Sequence, residues 1–305
     1  MPKVLITGAS GYLGSSFLSY LPKNWKAIAF DITPPKIELP SNVKFVKGDI
    51  TKDISLNLLH DIDVVLHLAA IKGTTQCQSD PSKTIEVNVL GTHNLLKAAK
   101  CCDVKKFVFA STYWVYDADS NLPFKEDSPA KPSELYGLSK LISEIEVASS
   151  GLNYIILRFS NIFGFGSGVE SGDVVNTFIK SAFEGKPIIV QNNGAQRLDF
   201  IDVDDVCTCL LKIINKTEIS NCILNVGSGQ PKSIASVARM VSKIFKQKFK
   251  QNVSIKNMTT QNIPKDRWVS VESLNKKIGK LKLKPFKQSI ETYIDKYHKK
   301  LRVSS

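Results

Sequence analysis

The chain has 305 residues, 43% of them hydrophobic and 23% charged, which is an ordinary composition for a globular protein with a large core. No apolar run approaches the roughly 18 residues of a membrane span, so we expect none. The first residues lack a signal-peptide pattern, and the six cysteines form no C-x-x-C pair. We therefore expect reduced cysteines, a cytoplasmic location and no metal site.

Positive charge is concentrated at the C-terminal end of the chain. From Arg239 to Ser305 there are 18 Lys/Arg against 4 Asp/Glu, whereas residues 1–238 carry 23 against 24. Nucleic acid, a membrane surface or an anionic small substrate could each explain this excess, and a lysine-rich solvated surface is the plain alternative. Aromatic residues are not interleaved as a base-stacking platform requires, so no nucleic-acid partner is expected.

Apolar β-branched runs alternate with helical segments along the chain. The predicted strands are Lys3–Thr7, Lys26–Phe30, Val43–Lys47, Val64–Leu68, Phe107–Ala110, Tyr154–Phe159 and Cys222–Val226. The predicted helices are Tyr12–Leu21, Pro81–Lys100, Pro132–Ser150, Val174–Glu184, Val203–Ile214 and Ile234–Phe245. This βαβ alternation predicts an α/β fold with a Rossmann-type doubly wound parallel sheet and a smaller C-terminal α/β substrate domain. The predicted cofactor domain is 1–165, rejoined by about 198–228, and the substrate domain is 166–197 with 229–305.

A glycine-rich turn follows the first predicted strand. Gly8, Gly11 and Gly14 have G-x-x-G-x-x-G spacing between this strand and a helix. Without side chains at these positions, the backbone can approach a pyrophosphate closely. The strand before the turn and the helix after it favour a dinucleotide site over a plain tight turn.

Two aspartates follow the second and third predicted strands. Asp31 lies 20 residues after Gly11, where a carboxylate accepts hydrogen bonds from ribose hydroxyls and repels a 2′-phosphate. No arginine between Ile32 and Pro40 could neutralise such a phosphate, so NAD is favoured over NADP. Asp49 is a candidate contact for the adenine amino group, and a turn or N-cap role is left open.

Tyr136 and Lys140 lie four residues apart in a predicted helix and therefore share one face. The Lys140 ammonium and a nicotinamide cation can lower the pKa of the Tyr136 phenol. A phenolate can then take a proton from a sugar hydroxyl while hydride leaves the same carbon. The spacing is common by chance, but here it follows a strand that ends in Ser111-Thr112 and lies about 125 residues beyond the glycine turn.

Further motifs occur in order along nearly the whole chain. They are His67-Leu68-Ala69-Ala70, Asn88-Val89-Leu90-Gly91-Thr92, Ser111-Thr112-Tyr113-Trp114-Val115-Tyr116, Leu157-Arg158-Phe159-Ser160-Asn161-Ile162-Phe163-Gly164, Asp199-Phe200-Ile201-Asp202-Val203-Asp204-Asp205-Val206 and Leu224-Asn225-Val226-Gly227-Ser228-Gly229. With the glycine turn and the Tyr-Lys pair, they resemble the extended short-chain dehydrogenase/reductase family, in its nucleotide-sugar epimerase and dehydratase branch. The resemblance implies NAD, a nucleotide-diphosphate sugar and a homodimer in which helices Pro81–Lys100 and Pro132–Ser150 pair with their copies.

The resemblance also implies roles for matching residues. Tyr136 would be the base and acid, Thr112 would hydrogen-bond the reacting C4 oxygen, and Lys140 would hold the nicotinamide ribose. The implied cofactor contacts are Gly8, Gly11, Tyr12, Leu13, Gly14, Asp31, Ile32, Asp49, Ile50, Leu68, Ala69, Ala70, Lys72, Asn88, Ser111, Tyr136 and Lys140. The implied substrate contacts are Thr112, Asn161, Arg197 and Arg267, the two arginines for the diphosphate. His67 is expected to be a packing residue, while a strand-end hydroxyl and a turn amide are the plain alternatives for Thr112 and Asn161.

The chain departs from the family pattern in two places. Members that dehydrate or decarboxylate have acidic residues after the Ser/Thr, where this chain has Tyr113 and Trp114. That leaves redox chemistry at C4, which is epimerisation or ketone reduction. Leu198 occupies the position of a diphosphate arginine, and Arg197 lies one residue earlier.

The leading hypothesis is an NAD-dependent nucleotide-sugar 4-epimerase of the UDP-glucose/UDP-galactose type, acting through a transient 4-keto sugar. The alternative is an NAD(P)H-dependent 4-keto-sugar-nucleotide reductase with the same reactive residues. A non-catalytic dinucleotide-binding regulator or RNA-binding relative is a minor alternative, because such proteins tend to lose the tyrosine or the lysine. The nucleobase cannot be deduced from the sequence.

Overall fold

A parallel sheet of seven strands forms the centre of the computed structural model, which describes residues 1–166, 173–261 and 264–304. In chain order the strands are β1 (Lys3–Thr7), β2 (Lys26–Asp31), β3 (Val43–Lys47), β4 (Val64–His67), β5 (Lys106–Thr112), β6 (Tyr154–Phe159), β7 (Asn161–Phe163), β8 (Ile188–Gln191), β9 (Arg197–Leu198), β10 (Phe200–Asp202), β11 (Cys222–Val226), β12 (Lys232–Ser233) and β13 (Ile255–Met258). The spatial order of the large sheet is β11-β6-β5-β4-β1-β2-β3. The predicted Rossmann-type sheet is confirmed.

Helices connect the strands and cover both faces of the sheet. They are α1 (Tyr12–Leu18), α2 (Leu56–Leu59), α3 (Thr74–Ser79), α4 (Pro81–Ile85), α5 (Gly91–Cys101), α6 (Leu135–Ser149), α7 (Val174–Phe183), α8 (Val203–Asn215), α9 (Ile234–Phe249), α10 (Glu272–Ile278) and α11 (Phe286–Ser304). Within the described ranges, no helix combines the length and the apolar character needed to cross a membrane.

The strand order reverses next to β1. The chain runs outward through β2 and β3 to one edge of the sheet and returns at β4, which pairs with the other side of β1. Ligands of open α/β sheets bind beyond the carboxyl ends of the strands at such a switch point. The topology therefore places the expected cofactor crevice between the ends of β1 and β4.

Alternate residues of the central strands enter two different cores. Val4 and Ile6 pack on the side of α8, whereas Leu5 packs with Phe107 and Leu95 on the side of α5. This alternation explains the nearly continuous apolar strands, because a sheet covered on both faces has no solvent-facing side.

The C-terminal part has its own core, in which α7, α9 and α11 pack against short two-stranded sheets. Phe163 and Phe200 link this core to the main sheet through the paired strands β7 and β10. Strand β11 returns to the edge of the large sheet beside β6. The proposed domain division stays a prediction, and its segment 166–197 lies partly outside the described residues.

The ends of the predicted helices differ from those observed, and two of the differences lie beside the expected cofactor crevice. The predicted helix Pro81–Lys100 contains a π-helical turn at Glu86–Leu90, where the Asn88 side chain bonds Ile71 and Ser139. The other helix begins at Leu135 rather than Pro132, because Glu134 is in an extended conformation. Short π-helical turns are frequent at functional sites, and this one adjoins the expected cofactor crevice.

Candidate active site

The glycine turn lies against the loop that follows β4. Gly8 has a φ of +68°, and a Cβ atom there would lie 2.6 Å from the Ala69 nitrogen. A Cβ atom on Gly14 would lie 2.2 Å from the Gly8 carbonyl oxygen. Only glycine fits at these two positions. The turn therefore has a tightly packed backbone without side chains, which a dinucleotide pyrophosphate can approach closely. Its neighbour Tyr12 donates a hydrogen bond to the Gly164 carbonyl at 2.9 Å, and Leu13 packs against the core.

The Asp31 carboxylate is held at the end of β2 beside the glycine turn. Its Oδ2 accepts a hydrogen bond from the Ser10 nitrogen at 3.0 Å, and its Oδ1 accepts one from the Thr33 nitrogen at 3.2 Å. These bonds orient the carboxylate and leave further lone pairs for ribose hydroxyls. The adjacent Ile32 is exposed.

We expect Asp31→Ser to lower the preference for NAD over NADP by about 100-fold, because the wild-type carboxylate faces a 2′-phosphate of like charge. Dissociation constants for both cofactors, measured by quenching of tryptophan fluorescence, check this. Asp53→Ser, at an exposed site, is the matched control. An unchanged preference in Asp31→Ser would show that another residue selects the cofactor.

Asp49 and Ile50 have structural roles in the turn after β3. Asp49 Oδ1 accepts hydrogen bonds from the Thr51 nitrogen and hydroxyl, both at 2.9 Å, and these bonds lower its pKa. The Ile50 side chain is buried beneath Gly91, where it leaves no room for a Cβ atom. The turn role of Asp49 is therefore present, and an adenine contact stays a prediction.

The loop from Leu68 to Lys72 is fastened by the buried side chain of Asn88. Asn88 Oδ1 accepts a hydrogen bond from the Ile71 nitrogen at 2.8 Å, and its Nδ2 donates to the Ile71 oxygen and to the Ser139 hydroxyl, both at 2.9 Å. The Lys72 ammonium lies 5.5 Å from the centre of the Tyr12 ring. Asn88 thus holds the loop that presents Lys72 toward the glycine turn.

Thr112, Tyr136 and Lys140 come together where β5 ends and α6 begins. Burial raises the pKa of Tyr136 to about 12, and hydrogen bonding with the Thr112 hydroxyl opposes that shift. Lys140 is only 2% exposed, and its ammonium lies 4.0 Å from the centre of the Phe109 ring. Burial lowers the pKa of Lys140 to about 7, against the effect of Glu144. In the polypeptide itself, burial therefore dominates the pKa of Tyr136, and the lowering of that pKa expected from Lys140 is not found.

Ser111 and His67 face buried surroundings. The Ser111 hydroxyl donates to the Glu144 carboxylate, so its side chain is already engaged. The His67 ring bonds the Thr7 hydroxyl at 2.7 Å and the Thr92 hydroxyl at 3.0 Å, and burial lowers its pKa to about 3. His67 is a neutral packing residue, as the sequence indicates.

On the side of the site where the sequence predicts the substrate, positions 113 and 114 carry aromatic rings rather than carboxylates. Tyr113 is buried, and its hydroxyl accepts a hydrogen bond from Asn161 Nδ2 at 2.6 Å. The Arg267 guanidinium is buried 4.4 Å from the centre of the Trp114 ring, and burial lowers its pKa. Asn161 and Arg267 are thus brought to the same aromatic wall.

Arg197 has a different position from Arg267. Its side chain is exposed, forms an ion pair with Asp266 at 2.8 Å and lies 4.7 Å from the centre of the Trp268 ring. Leu198 is buried in the C-terminal core, as expected for the opposite face of a strand. The structure therefore does not bring the Arg197 and Arg267 side chains together, and a diphosphate role for Arg197 has no geometric support.

Sequence reasoning missed three residues that organise the site. Ser10 orients Asp31, Ser139 anchors Asn88, and Glu144 bonds Ser111 and Arg158 beneath the reactive group. The spacing of Glu144, four residues after Lys140 on the same helix face, was the available signal. The partners of Ser10 and Ser139 are distant in sequence, so no local pattern identifies them.

The geometry agrees with a family match that covers most of the chain. Residues 4–227 match the model of the NAD dependent epimerase/dehydratase family, and the chain belongs to this family. NAD is its cofactor. The tight cradle at Gly8 and Gly14, which a Cβ atom would fill, fits that group.

Individual relatives carry out several reactions. A putative UDP-glucose 4-epimerase from Methanocaldococcus jannaschii is 33% identical over 76% of this chain and 78% of its own length. A dTDP-D-glucose 4,6-dehydratase from Mus musculus is 29% identical over 80% of this chain and 73% of its own. The structure of a UDP-glucuronic acid 4-epimerase from Bacillus cereus, in complex with UDP-glucuronic acid and NAD, has a TM-score of 0.88 and 26% identity, covering 98% and 99% of the two chains.

Proposed function

We propose that this protein is an NAD-dependent nucleotide-sugar 4-epimerase that works through a transient 4-keto sugar. The observation that carries the proposal is the cluster of Thr112, Tyr136 and Lys140 beside a wall formed by Tyr113 and Trp114, which carries no carboxylate. Oxidation and reduction at C4 need only a proton acceptor and a hydride acceptor. Elimination of water needs an additional acid.

Each reactive residue has one task in this scheme. Tyr136 removes the proton of the C4 hydroxyl, and the Thr112 hydroxyl hydrogen-bonds the C4 oxygen. When bound, NAD would supply the hydride acceptor and donor, and the positive charge of its ring would favour the phenolate form of Tyr136. Lys140 holds the nicotinamide ribose, while Arg267 binds the diphosphate through its planar guanidinium. If the 4-keto sugar turns over in the pocket before C4 is reduced again, the configuration at C4 is inverted. Tyr136 then gives its proton back to the C4 oxygen.

The relatives support chemistry at C4 but include dehydratases, so the choice of an epimerase rests on the wall at positions 113 and 114. The Tyr113 hydroxyl is engaged with Asn161, and burial raises its pKa far above neutrality. The Trp114 ring is packed against Arg267 and has no acidic proton to transfer to a leaving hydroxyl. These two side chains therefore favour epimerisation over elimination.

The test is incubation with UDP-glucose, UDP-galactose and their N-acetyl forms without added cofactor, followed by separation of the C4 epimers. We expect one pair to interconvert to equilibrium with no net change in the absorbance of reduced nicotinamide. No interconversion of any nucleotide sugar would contradict the proposal. Release of water to give a 4-keto-6-deoxy product would indicate a dehydratase, and consumption of reduced cofactor by a 4-keto sugar would indicate a reductase.

We also propose a homodimer formed by the helices next to the reactive group. Ile85 and Leu90 before α5, and Leu138, Ile142 and Ile145 on α6, are 39–61% exposed. Leu138, Ile142 and Ile145 have the spacing of one helix face. The segment before α5 and helix α6 therefore present apolar surfaces that adjoin each other. Contact between two such faces would remove both stripes from water.

Ile145→Glu is expected to convert the dimer to a monomer, because the charge would be buried in an apolar contact. Size-exclusion chromatography with light scattering measures the change. Ile189→Glu on β8, which is 45% exposed away from these helices, should leave the dimer intact. A monomeric wild-type protein, or an Ile145→Glu dimer of unchanged mass, would refute this interface.

A further inference from the structure

A buried ion pair lies directly behind the reactive group. Glu144 and Arg158 are 3% and 4% exposed, and Arg158 donates to both oxygens of the carboxylate, with its closest contact at 2.6 Å. The Ser111 hydroxyl donates to the same carboxylate, and the Arg158 guanidinium lies 4.7 Å from the centre of the Tyr116 ring. Burying two charges is costly, so such a pair stabilises the fold little compared with apolar residues. The position of the pair behind the reactive group suggests a function other than stabilising the fold.

Lys140 needs a nearby anion to stay protonated. Its side chain is almost fully buried, and its ammonium lies over the Phe109 ring. Within the parts of the chain that the structure describes, Lys140 forms no ion pair. Burial of an unpaired ammonium favours the neutral amine. A neutral Lys140 would bring no positive charge to the cluster with Thr112 and Tyr136.

The titratable and charged groups around Lys140 come from four elements: Tyr136 and Glu144 on α6, Cys77 on α3, His67 on β4 and Arg158 on β6. Burial keeps His67 neutral and raises the pKa of Cys77, so neither supplies negative charge near neutral pH. Glu144 is thus the anion among these groups. It lies one helical turn from Lys140 on the same buried face of α6.

We infer that Glu144 is a positioning residue that keeps Lys140 protonated, and that Ser111 and Arg158 hold its carboxylate in place. This role rests on the proposed reaction only in so far as Lys140 takes part in that reaction. Ser111 precedes Thr112 in β5, so the same cluster links β6 to β5 and α6, the two elements that carry the reactive residues. Neutralising Glu144 should lower the pKa of Lys140, because an opposite charge on the same helix face is lost.

The direct test is an NMR titration of Lys140 in protein labelled with [¹³Cε]lysine, with Lys140→Met used to assign the resonance. In Glu144→Gln we expect the titration midpoint to fall by about one unit. The alkaline pH at which the epimerisation rate falls should decrease by the same amount. The rate just above the wild-type value of this pH should therefore drop about tenfold. Glu184→Gln, at an exposed carboxylate, is the matched control and should leave both unchanged.

The double variant Glu144→Gln/Arg158→Met separates an effect on the protonation of Lys140 from a general loss of stability. It replaces the whole buried pair by neutral groups, so it should recover stability lost in Glu144→Gln while the Lys140 midpoint stays low. A Lys140 midpoint that does not move in either variant would overturn the inference. The titration does not depend on which reaction the enzyme catalyses, so an inactive protein with the expected shift would refute the proposed function alone.

Discussion

Replacing Tyr136 by phenylalanine is expected to lower the rate of C4 epimerisation by about 10³-fold, within the range for loss of a positioned acid–base group. The change removes one oxygen and leaves the ring in its half-buried place at the start of α6. Thr112 keeps its hydrogen bond from the Trp114 nitrogen, and Lys140 keeps its contact with Phe109. Cofactor binding should therefore survive while proton transfer is lost.

The measurement is kcat for the best UDP-sugar pair, together with the amount of NAD retained by the purified variant. Tyr154→Phe, which removes a phenol from β6 away from the reactive group, is the matched control and should keep wild-type activity. The pH dependence adds a second check. Because burial raises the pKa of Tyr136, the wild-type rate should rise with pH as the phenol ionises, and the phenylalanine variant should lack that rise. Near wild-type turnover in Tyr136→Phe would remove this residue as the base.

Replacing Gly14 by alanine is expected to abolish NAD binding. The added Cβ atom would lie 2.2 Å from the Gly8 carbonyl oxygen and 2.7 Å from the Ala9 Cα atom, both of them backbone positions that cannot rotate away. The turn would have to open, and Gly8 would lose its close approach to Ala69. The pyrophosphate cradle would then be displaced, so we expect NAD affinity to fall by at least about 100-fold.

Isothermal titration with NAD and the thermal shift that saturating NAD produces measure the loss. Gly185→Ala is the control, because Gly185 also has a positive φ, of +69°, but open space where its Cβ atom would lie. It should cost about 1 kcal/mol of stability from backbone strain alone and leave NAD affinity unchanged. A Gly14→Ala protein that binds NAD normally would show that the cradle is not the pyrophosphate site.

Local patterns predicted the central sheet, whereas the roles assigned to the site residues stay predictions. The strands β1, β3, β6 and β11 have the predicted bounds, because a strand covered on both faces is a continuous apolar run. The short pairs β7 with β10 and β9 with β12 were not predicted, since two or three residues carry no recognisable period. The π-helical turn was missed because it depends on partners of Asn88 outside its own helix.

The sequence by itself determined the dinucleotide turn, the carboxylate of Asp31 and the Tyr136–Lys140 pair, because each depends on residue type at a fixed local spacing. Only the tertiary structure decided which charges are buried and what they face. It placed Arg267 inside against Trp114 and Arg197 outside against Asp266, although the sequence assigned both arginines to the diphosphate. It also buried Glu144 on the helix of Lys140, in an ion pair with Arg158 from another strand. Burial and long-range partners set the state of a charged side chain, and both arise only when distant segments pack together.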